Sequence, residues 1–174
     1  MIQKGFYFNE SKCYKCHACQ VACKMWNGVE VGLNWRKVVK IGVGKYPLVK
    51  KINVSLACMH CGIPMCIPAC PVKAISKRVS DGIVIVDQTK CIGCGFCTWA
   101  CPFNAPQRGT DGKMQKCNFC EDRPDGMLRA CEEVCPNHAI VSGSMDELDK
   151  LAKEQAAERL LSKSEPSFYL KENV

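Results

Sequence analysis

The stretch CIGCGFCTWACP, Cys91–Pro102, places four cysteines and a proline within twelve residues. Its spacing is C-x2-C-x2-C-x3-C-P, so the first three thiols recur at every third position. A loop with thiols at i, i+3 and i+6 can wrap three corners of a cubic four-iron cluster, with one thiolate for each iron. The fourth cysteine points away from that loop and ligates a second cluster. The stretch therefore predicts metal-binding loops that work in pairs.

The same pattern recurs along the chain as an internal repeat. All sixteen cysteines fall into four groups of four. The groups are Cys13, Cys16, Cys19 and Cys23; Cys58, Cys61, Cys66 and Cys70; Cys91, Cys94, Cys97 and Cys101; and Cys117, Cys120, Cys131 and Cys135. Each group opens with C-x2-C and closes with C-x3-C, and proline follows the last three groups. We interpret the longer spacings in the second and fourth groups as loop insertions into the same kind of site.

The cellular compartment decides how this cysteine content is interpreted. The N-terminal sequence MIQKGFYFNE has neither the apolar segment nor the cleavage site of a secretory signal peptide. No apolar run is long enough to span a bilayer. We therefore expect a cytoplasmic protein without a transmembrane segment of its own, although export beside a signal-bearing partner stays open. Cytoplasmic thiols are kept reduced, so sixteen cysteines in 174 residues favour metal binding over disulfides.

Zinc is the alternative metal, because C-x2-C is also half of a zinc site. Sixteen cysteines would suffice for four tetrahedral zinc ions. Zinc sites, however, typically combine two such half-sites across a longer spacer, and a third ligand three residues after the second is not their pattern. The C-P endings have no explanation in zinc binding either. The spacing therefore favours four 4Fe–4S clusters.

The remaining polar residues near the groups suggest no further ligands and no catalytic site. Every cluster has four cysteines available, so no iron is left open for substrate, and we expect single-electron transfer rather than catalysis. We interpret His17, His60 and His138 as hydrogen-bonding residues of the loops. Gly93 and Gly95 would let the backbone approach the cluster and donate N–H groups to sulfur.

The formal net charge of +7 does not indicate a nucleic-acid partner. Four oxidised clusters with their thiolates would contribute about −8, so the loaded protein would carry about −1. Aromatic residues make up only 7% of the chain, without the basic-aromatic pattern that supports base stacking.

The segments between the groups predict short strands. Ala74–Lys77 and Ile83–Val86 predict a hairpin around Ser80-Asp81-Gly82. Asn34–Gly42 is rich in β-branched residues and predicts a further strand. The sequence HAIV after the fourth group repeats the position of KAIS after the second. These elements predict an α+β protein with short hairpins.

The C-terminal part predicts a helix. Ser144 and Glu147 form a capping-box signature, and apolar residues follow at helical spacing. The helix should end near Ser162, before Pro166. We favour a helix that covers the protein's own core over one that is dedicated to a partner.

Four stretches carry a resemblance to a known family. They are NWRKVV, CMHCGIPMCIPACPVKAI, DGIVIVDQTKCIGCGFCTWACPFNAPQ and EPSFYL. With the four-group cysteine framework, they make the chain resemble the four-cluster iron–sulfur subunit of the dimethyl-sulfoxide-reductase type over nearly its whole length. That family includes electron-transfer subunits of formate dehydrogenases and of polysulfide, tetrathionate and nitrite reductase systems. Similar subunits accompany tungsten-pterin enzymes of the aldehyde oxidoreductase family.

The resemblance implies which cysteines share a cluster. One set would be Cys13, Cys16, Cys19 and Cys135; a second Cys117, Cys120, Cys131 and Cys23; a third Cys58, Cys61, Cys66 and Cys101; and a fourth Cys91, Cys94, Cys97 and Cys70. The implied fold is two nested bacterial-ferredoxin-like modules. Residues 1–54 with 107–143 would form the outer module, residues 55–106 the inner one, and residues 144–174 the C-terminal helix and tail.

The resemblance also implies a role in a complex. The chain would be a non-catalytic electron-transfer subunit whose clusters act as a wire to or from a larger molybdenum- or tungsten-pterin catalytic subunit. A further protein would donate or accept the electrons at the other end. Two alternatives stay open: a free polyferredoxin that diffuses between enzymes, and an accessory protein in metalloenzyme assembly.

Overall fold

The computed structural model describes residues 2–124 and 126–163, with side chains as far as residue 156. Within these ranges the chain forms four two-stranded antiparallel sheets and four α-helices. The strands are β1 Lys4–Phe8, β2 Lys37–Val43, β3 Lys50–Leu56, β4 Ile75–Lys77, β5 Val84–Val86, β6 Gln107–Arg108, β7 Met114–Gln115 and β8 Ile140–Ser144. The helices are α1 Ala18–Trp26, α2 Phe96–Ala100, α3 Ala130–Glu133 and α4 Met145–Lys163, with a 3-10 turn at Glu10–Lys12. The predicted α+β class is confirmed.

The sheets join neighbouring segments except in one case. Strands β2 and β3, β4 and β5, and β6 and β7 pair as hairpins. Strands β1 and β8 come from opposite ends of the described chain and pair antiparallel, with Phe8 opposite Ile140 and Lys4 opposite Ser144. This pairing brings the segment before the first cysteine group beside the segment after the fourth.

The hairpin predicted between the second and third groups is present. Strands β4 and β5 are each one residue shorter than predicted, and Ile75 lies opposite Val86. Ile75, Ile83 and Val84 are buried. The turn is held by Asp81, whose carboxylate accepts hydrogen bonds from the backbone of Ile83 and from the Arg78 guanidinium.

The strand predicted from Asn34 begins three residues later, at Lys37. The backbone N–H of Asn34 donates to Oε1 of Gln107 at 2.9 Å, and Nε2 of Gln107 donates to the Asn34 carbonyl at 2.7 Å. Because a distant side chain takes both backbone groups of Asn34, the predicted start of the strand was wrong. β-Propensity alone does not reveal such a competing partner.

The C-terminal helix has the predicted capping box. The Glu147 carboxylate accepts from the backbone N–H of Ser144 at 2.8 Å, and the N–H of Glu147 donates to Oγ of Ser144 at 3.3 Å. Helix α4 covers strands β1 and β8: Leu148 is buried, and Tyr7 Oη donates to Oε1 of Gln155 at 2.8 Å. The described part of the helix runs to Lys163. The tail with EPSFYL lies outside the described residues.

Cysteines make up much of the small core. One buried cluster contains Cys19, Val38, Cys131 and Ile140; a second contains Ala57, Cys58, Ala105 and Cys117; a third contains Ile75, Val84, Cys97 and Met114. Each of these apolar clusters therefore includes at least one cysteine side chain. None of the helices in the described ranges has the length and apolar content needed to cross a bilayer.

Candidate iron–sulfur centres

The four C-x2-C loops share one backbone conformation. The residue before the second cysteine has a positive φ in every group: 61° at Lys15, 45° at His60, 69° at Gly93 and 65° at Phe119. Residues other than glycine rarely adopt this left-handed region. Its recurrence at one equivalent position agrees with the internal repeat and brings paired cysteines of each group into the same tight turn.

The first and third groups share a second left-handed residue, at the start of a helix. His17 has a φ of 62° and precedes α1, and Gly95 has a φ of 82° and precedes α2. The third cysteine of each group, Cys19 or Cys97, then lies in the first turn of that helix and is buried. The spacing C-x2-C-x2-C thus produces the same loop-to-helix transition twice.

The closing C-P-x-x-A segments form a second recurring turn. Cys70, Cys101 and Cys135 each accept a backbone hydrogen bond from the residue three positions later, at 3.1 to 3.2 Å. Those residues, Lys73, Asn104 and His138, have φ values of 51°, 49° and 48°. Proline after the cysteine disfavours helical backbone at the cysteine itself, and Cys101 accordingly has an extended conformation that ends α2.

The first group departs from this turn because Lys24 replaces the proline. Helix α1 continues through Cys23 to Trp26. The Lys24 ammonium donates to the carbonyls of Glu30 and Leu33 at 2.8 and 2.9 Å, which fixes the loop after the helix. Cys23 is therefore presented from a helix rather than from a C-P turn.

Three cavities gather cysteines from different groups. A cavity of about 440 Å³ is lined by Cys13, Cys16, Cys19 and Cys135. A cavity of about 750 Å³ is lined by Cys58, Cys61, Cys66 and Cys101, and one of about 310 Å³ by Cys70, Cys91, Cys94 and Cys97. Each combines three cysteines of one group with the closing cysteine of another. Within the described ranges no three of these side chains stand close enough to ligate a single metal ion.

The other four cysteines also lie together. Burial raises the pKa of Cys23, and the neighbouring thiols of Cys117, Cys131 and Cys120 raise it further. Burial raises the pKa of Cys131 to about 12, and raises the pKa of Cys117 as well. Such thiols are protonated at neutral pH unless a positive centre compensates the thiolate charge. Metal ligation requires that deprotonation and supplies that charge.

Backbone N–H groups point at cysteine sulfurs. Ala74 and Ala139 donate to Sγ of Cys70 and Cys135, both at 3.2 Å, and Met114 donates to Sγ of Cys91 at 3.4 Å. Hydrogen bonds to sulfur are among the features that tune iron–sulfur clusters. With four thiols and mainly apolar walls, the sites fit 4Fe–4S clusters.

His60 behaves as the hydrogen-bonding residue that the sequence predicts. Its Nδ1 accepts the backbone N–H of Val84 at 3.1 Å, and its ring packs edge-on against Phe119. Burial, assisted by the charge of Lys116, lowers the pKa of His60 to about 3, so the ring is neutral. Nδ1 of His17 lies 3.4 Å from Oε1 of Gln20, and the backbone of His138 belongs to the closing turn of the fourth group.

Two buried cations near the cysteines were not predicted from the sequence. Lys116 donates to the carbonyl of Cys117 at 3.0 Å and to that of Val84. Arg36 donates from Nη1 to Oγ of Ser55 at 3.1 Å. Burial raises the pKa of Cys19, Cys23, Cys117 and Cys131, and the charge of Arg36 acts against that rise at all four. The only sequence signal was an arginine directly before an apolar strand.

The loops, cavities and thiol sets define a ferredoxin-like iron–sulfur protein. Comparison with known proteins gives the family: residues 49–145 match the 4Fe–4S dicluster domain. The chain belongs to that family.

Relatives match nearly the whole chain. It is 36% identical to the formate dehydrogenase iron–sulfur subunit of Wolinella succinogenes, over 88% of each chain. It is 35% identical to a component of the anaerobic dimethyl sulfoxide reductase of Escherichia coli, over 99% of this chain and 90% of the relative. It is 33% identical to a component of the sulfite dehydrogenase of Allochromatium vinosum, over 86% of this chain and 72% of the relative. The predicted relationship to iron–sulfur subunits of oxidoreductases is confirmed.

Proposed function

We propose that this chain is an electron-transfer subunit whose four 4Fe–4S clusters form a wire that carries electrons to or from a larger molybdenum- or tungsten-pterin catalytic subunit. The observation that carries the proposal is the distribution of cysteines over the cavities. In each cavity, three cysteines of one group meet the closing cysteine of another. The C-x2-C-x2-C-x3-C-P run of two-cluster ferredoxins has this exchange.

The proposed ligand sets follow the cavities and the buried cysteine cluster. They are Cys13, Cys16, Cys19 with Cys135; Cys117, Cys120, Cys131 with Cys23; Cys58, Cys61, Cys66 with Cys101; and Cys91, Cys94, Cys97 with Cys70. The first two sets exchange closing cysteines with each other, and so do the last two. In this order the sets form the first, second, third and fourth sites.

The exchange supports two nested modules. The first and second sites would belong to an outer module of residues 1–54 and 107–143, and the pairing of β1 with β8 supports that arrangement. The third and fourth sites would belong to an inner module of residues 55–106, with the β4–β5 hairpin inside it. The modules would contact each other across the apposed second and third sites, where Cys58 and Cys117 share one buried cluster.

The residues of the sites suit them to electron transfer rather than catalysis. A bound 4Fe–4S cluster supplies one-electron transfer, with a potential set by burial, local charge and hydrogen bonds to sulfur. Four cysteines for each cluster would leave no iron for a substrate to bind. Ala74, Ala139 and Met114 donate N–H groups to sulfur, which stabilises negative charge there. Mainly apolar walls shield the buried ligands, such as Cys19 and Cys97, from water.

Two sites approach the surface closely enough to exchange electrons with partners. Cys16 of the first site and Cys94 of the fourth are the two exposed cysteines. Tyr14 beside Cys16 is 78% exposed, and Trp99 near Cys94 is 82% exposed and lies 5.8 Å from the Phe96 ring. Exposed aromatic side chains of this kind favour protein interfaces. We place the two ends of the electron path at these sites.

The names of the relatives support a catalytic partner. Formate dehydrogenase, dimethyl sulfoxide reductase and sulfite dehydrogenase name the complexes to which those relatives belong. The pterin metal of the partner follows from the family resemblance. Val31, Tyr46 and Leu48 are further exposed large apolar side chains that a partner of this kind would cover.

Anaerobic purification from the native host, with metal analysis of each co-eluting chain, tests the proposal. We expect about sixteen irons per chain, four for each proposed cluster, together with molybdenum or tungsten on a larger subunit. Sixteen irons without a partner would favour the free polyferredoxin. Co-elution with a maturation factor would favour the assembly protein, and zinc in place of iron would refute the cluster assignment.

A further inference from the structure

We propose that Arg36 is a buried counter-charge shared by the first and second sites, and that it orients the Ser55 hydroxyl as a hydrogen-bond donor to Cys19. The inference rests on the proposed function, since it concerns ligands of two proposed clusters. Arg36 would act as a tuning residue: it would raise the reduction potentials of both sites without ligating either.

Arg36 is a buried cation without an anionic partner in the described part of the chain. Its exposed fraction is 3%, and its guanidinium carbon lies 4.6 Å from the centroid of the Phe6 ring. Among the described residues, no carboxylate lies within ion-pair distance of it, and its Nε and Nη2 have no hydrogen-bond partner. A charge is seldom buried without compensation. The position therefore calls for negative charge that the described residues do not supply.

The other two buried cations have their partners. Arg123 forms an ion pair with Glu133 at 2.6 Å. Lys116 donates to the carbonyls of Val84 and Cys117. Of the buried cations in the described part of the chain, Arg36 is thus the one whose charge faces only thiols, an aromatic ring and a serine.

The contact with Ser55 has a defined direction. A guanidinium carries donors only, so Oγ of Ser55 must accept from Nη1 of Arg36. The Ser55 hydroxyl hydrogen then remains free to donate. Sγ of Cys19 lies 3.5 Å from Oγ of Ser55, within reach of an O–H···S hydrogen bond. Arg36 therefore orders a donor towards a proposed ligand of the first site.

The same guanidinium lies over the Phe6 ring, which packs against the buried clusters that contain Cys131 and Cys117 of the second site. Cys23, Cys117 and Cys131 all lie within its electrostatic influence. Nε and Nη2 of Arg36 are buried and have no hydrogen-bond partner among the described residues. An electron added at either site increases the negative charge beside Arg36, which a buried cation stabilises more strongly than an exposed one does. One cation would therefore raise two potentials.

The experiment is an anaerobic redox titration of the full-length chain, followed by electron paramagnetic resonance, after iron analysis. We compare Arg36→Gln, Arg36→Lys and Ser55→Ala with wild type. Arg108→Gln is the control, because it removes the same charge from an exposed side chain. We expect Arg36→Gln to lower the midpoint potentials of two of the four resonance components by at least about 59 mV. This shift is a tenfold change in the equilibrium constant of a one-electron reduction. Ser55→Ala should lower the midpoint potential of one of these two components. Arg36→Lys should shift both potentials by less than Arg36→Gln does, and Arg108→Gln should leave all four potentials unchanged.

Several results would overturn the inference. Unchanged potentials in Arg36→Gln with wild-type iron content would do so, as would an equal shift of all four components. If Arg36→Gln loses iron, the inference is tested with Arg36→Lys and Ser55→Ala. A Ser55→Ala protein with wild-type iron content and wild-type potentials would refute the hydrogen-bond chain from Arg36 through Ser55 to Cys19. If the metal analysis finds zinc, or no iron, in the wild-type protein, that result overturns the proposed function together with this inference.

Discussion

The backbone N–H of Ala139 donates to the sulfur of Cys135 at 3.2 Å, and Ala74 has the same relationship to Cys70 at the same distance. In both cases a left-handed residue, His138 or Lys73, precedes the alanine, and a strand follows it. The HAIV and KAIS segments thus share sequence, backbone conformation and a contact with sulfur. Duplication of one structural unit explains all three.

Lys73 should carry a conformational cost that glycine would relieve. It is exposed and has a φ of 51°. Lys73→Gly is expected to raise the free energy of unfolding by roughly 0.5–1 kcal/mol, since left-handed backbone is unfavourable for L-residues. Lys73→Ala is the control, because it keeps that cost. Anaerobic thermal unfolding measures both, and equal melting temperatures for the two variants would contradict the prediction.

Gly93 should be far more sensitive to substitution than Gly95. A Cβ at Gly93 would lie 2.2 Å from the Gly112 carbonyl oxygen, whereas one at Gly95 would meet nothing within 4 Å. Both have positive φ, so Gly95→Ala should cost only about 1 kcal/mol. Gly93→Ala adds a backbone collision and is expected to lose iron from the fourth site. Iron content and melting temperature compare the two variants, and equal effects would refute the steric argument.

Lys24 should not tolerate the proline that the other groups have after their closing cysteine. It lies inside α1, where proline removes a hydrogen bond and collides with the preceding turn at a cost of about 3 kcal/mol. Lys24→Pro should therefore reduce the iron bound at the second site through displacement of Cys23. Lys24→Met removes only the ammonium contacts and serves as the control. A Lys24→Pro protein that binds as much iron as wild type would show that the helical presentation of Cys23 is dispensable.

Much of this arrangement is predictable from local sequence. The four groups, the β4–β5 hairpin and the capping box of α4 all follow from spacing, turn residues and caps. The β6–β7 hairpin was missed, although Asp111-Gly112 between its strands is a turn signal that would have predicted it.

Other features depend on the tertiary structure. Lys15 and Phe119 adopt left-handed backbone without being glycine, because the repeated loop imposes it. The delayed start of β2 depends on Gln107, which is 73 residues away from Asn34. Burial of Arg36 likewise depends on Phe6 and Ser55, which come from two other strands. Local propensity contains no information about such distant partners.

Asp81 should stabilise the inner hairpin in a pH-dependent way. Hydrogen bonds from Arg78, and a further one from the Ile83 backbone, lower its pKa. A lowered carboxyl pKa stabilises the folded state fully above the unfolded value of about 3.9, and this contribution is lost as pH falls through the folded pKa. Asp81→Asn should cost about 1 kcal/mol at pH 7 and at pH 5, and progressively less below pH 4.

Glu121→Gln is the matched control for Asp81. Glu121 pairs with the same Arg78 at 3.0 Å, but both side chains of that pair are more than one-third exposed. Loss of this ion pair should lower the free energy of unfolding by less than about 0.5 kcal/mol. Urea unfolding of both variants across this pH range gives the comparison. An Asp81→Asn difference that grows with acidity would mean that the Asp81 pKa is raised in the folded state.

Removal of the clusters should unfold most of the chain. Each buried cluster of apolar side chains is small and includes one or two cysteines, so little apolar surface is buried without metal. Binding of a cluster would also join residues that are distant in sequence, such as Cys13 and Cys135 of the first site. Metal binding in such sites supplies folding free energy. Iron chelation under reducing, anaerobic conditions is therefore expected to abolish most of the far-ultraviolet circular dichroism, and addition of iron and sulfide should restore it. Cluster-free protein with a native-like spectrum would show that β1, β8 and α4 hold the fold together without the metal sites.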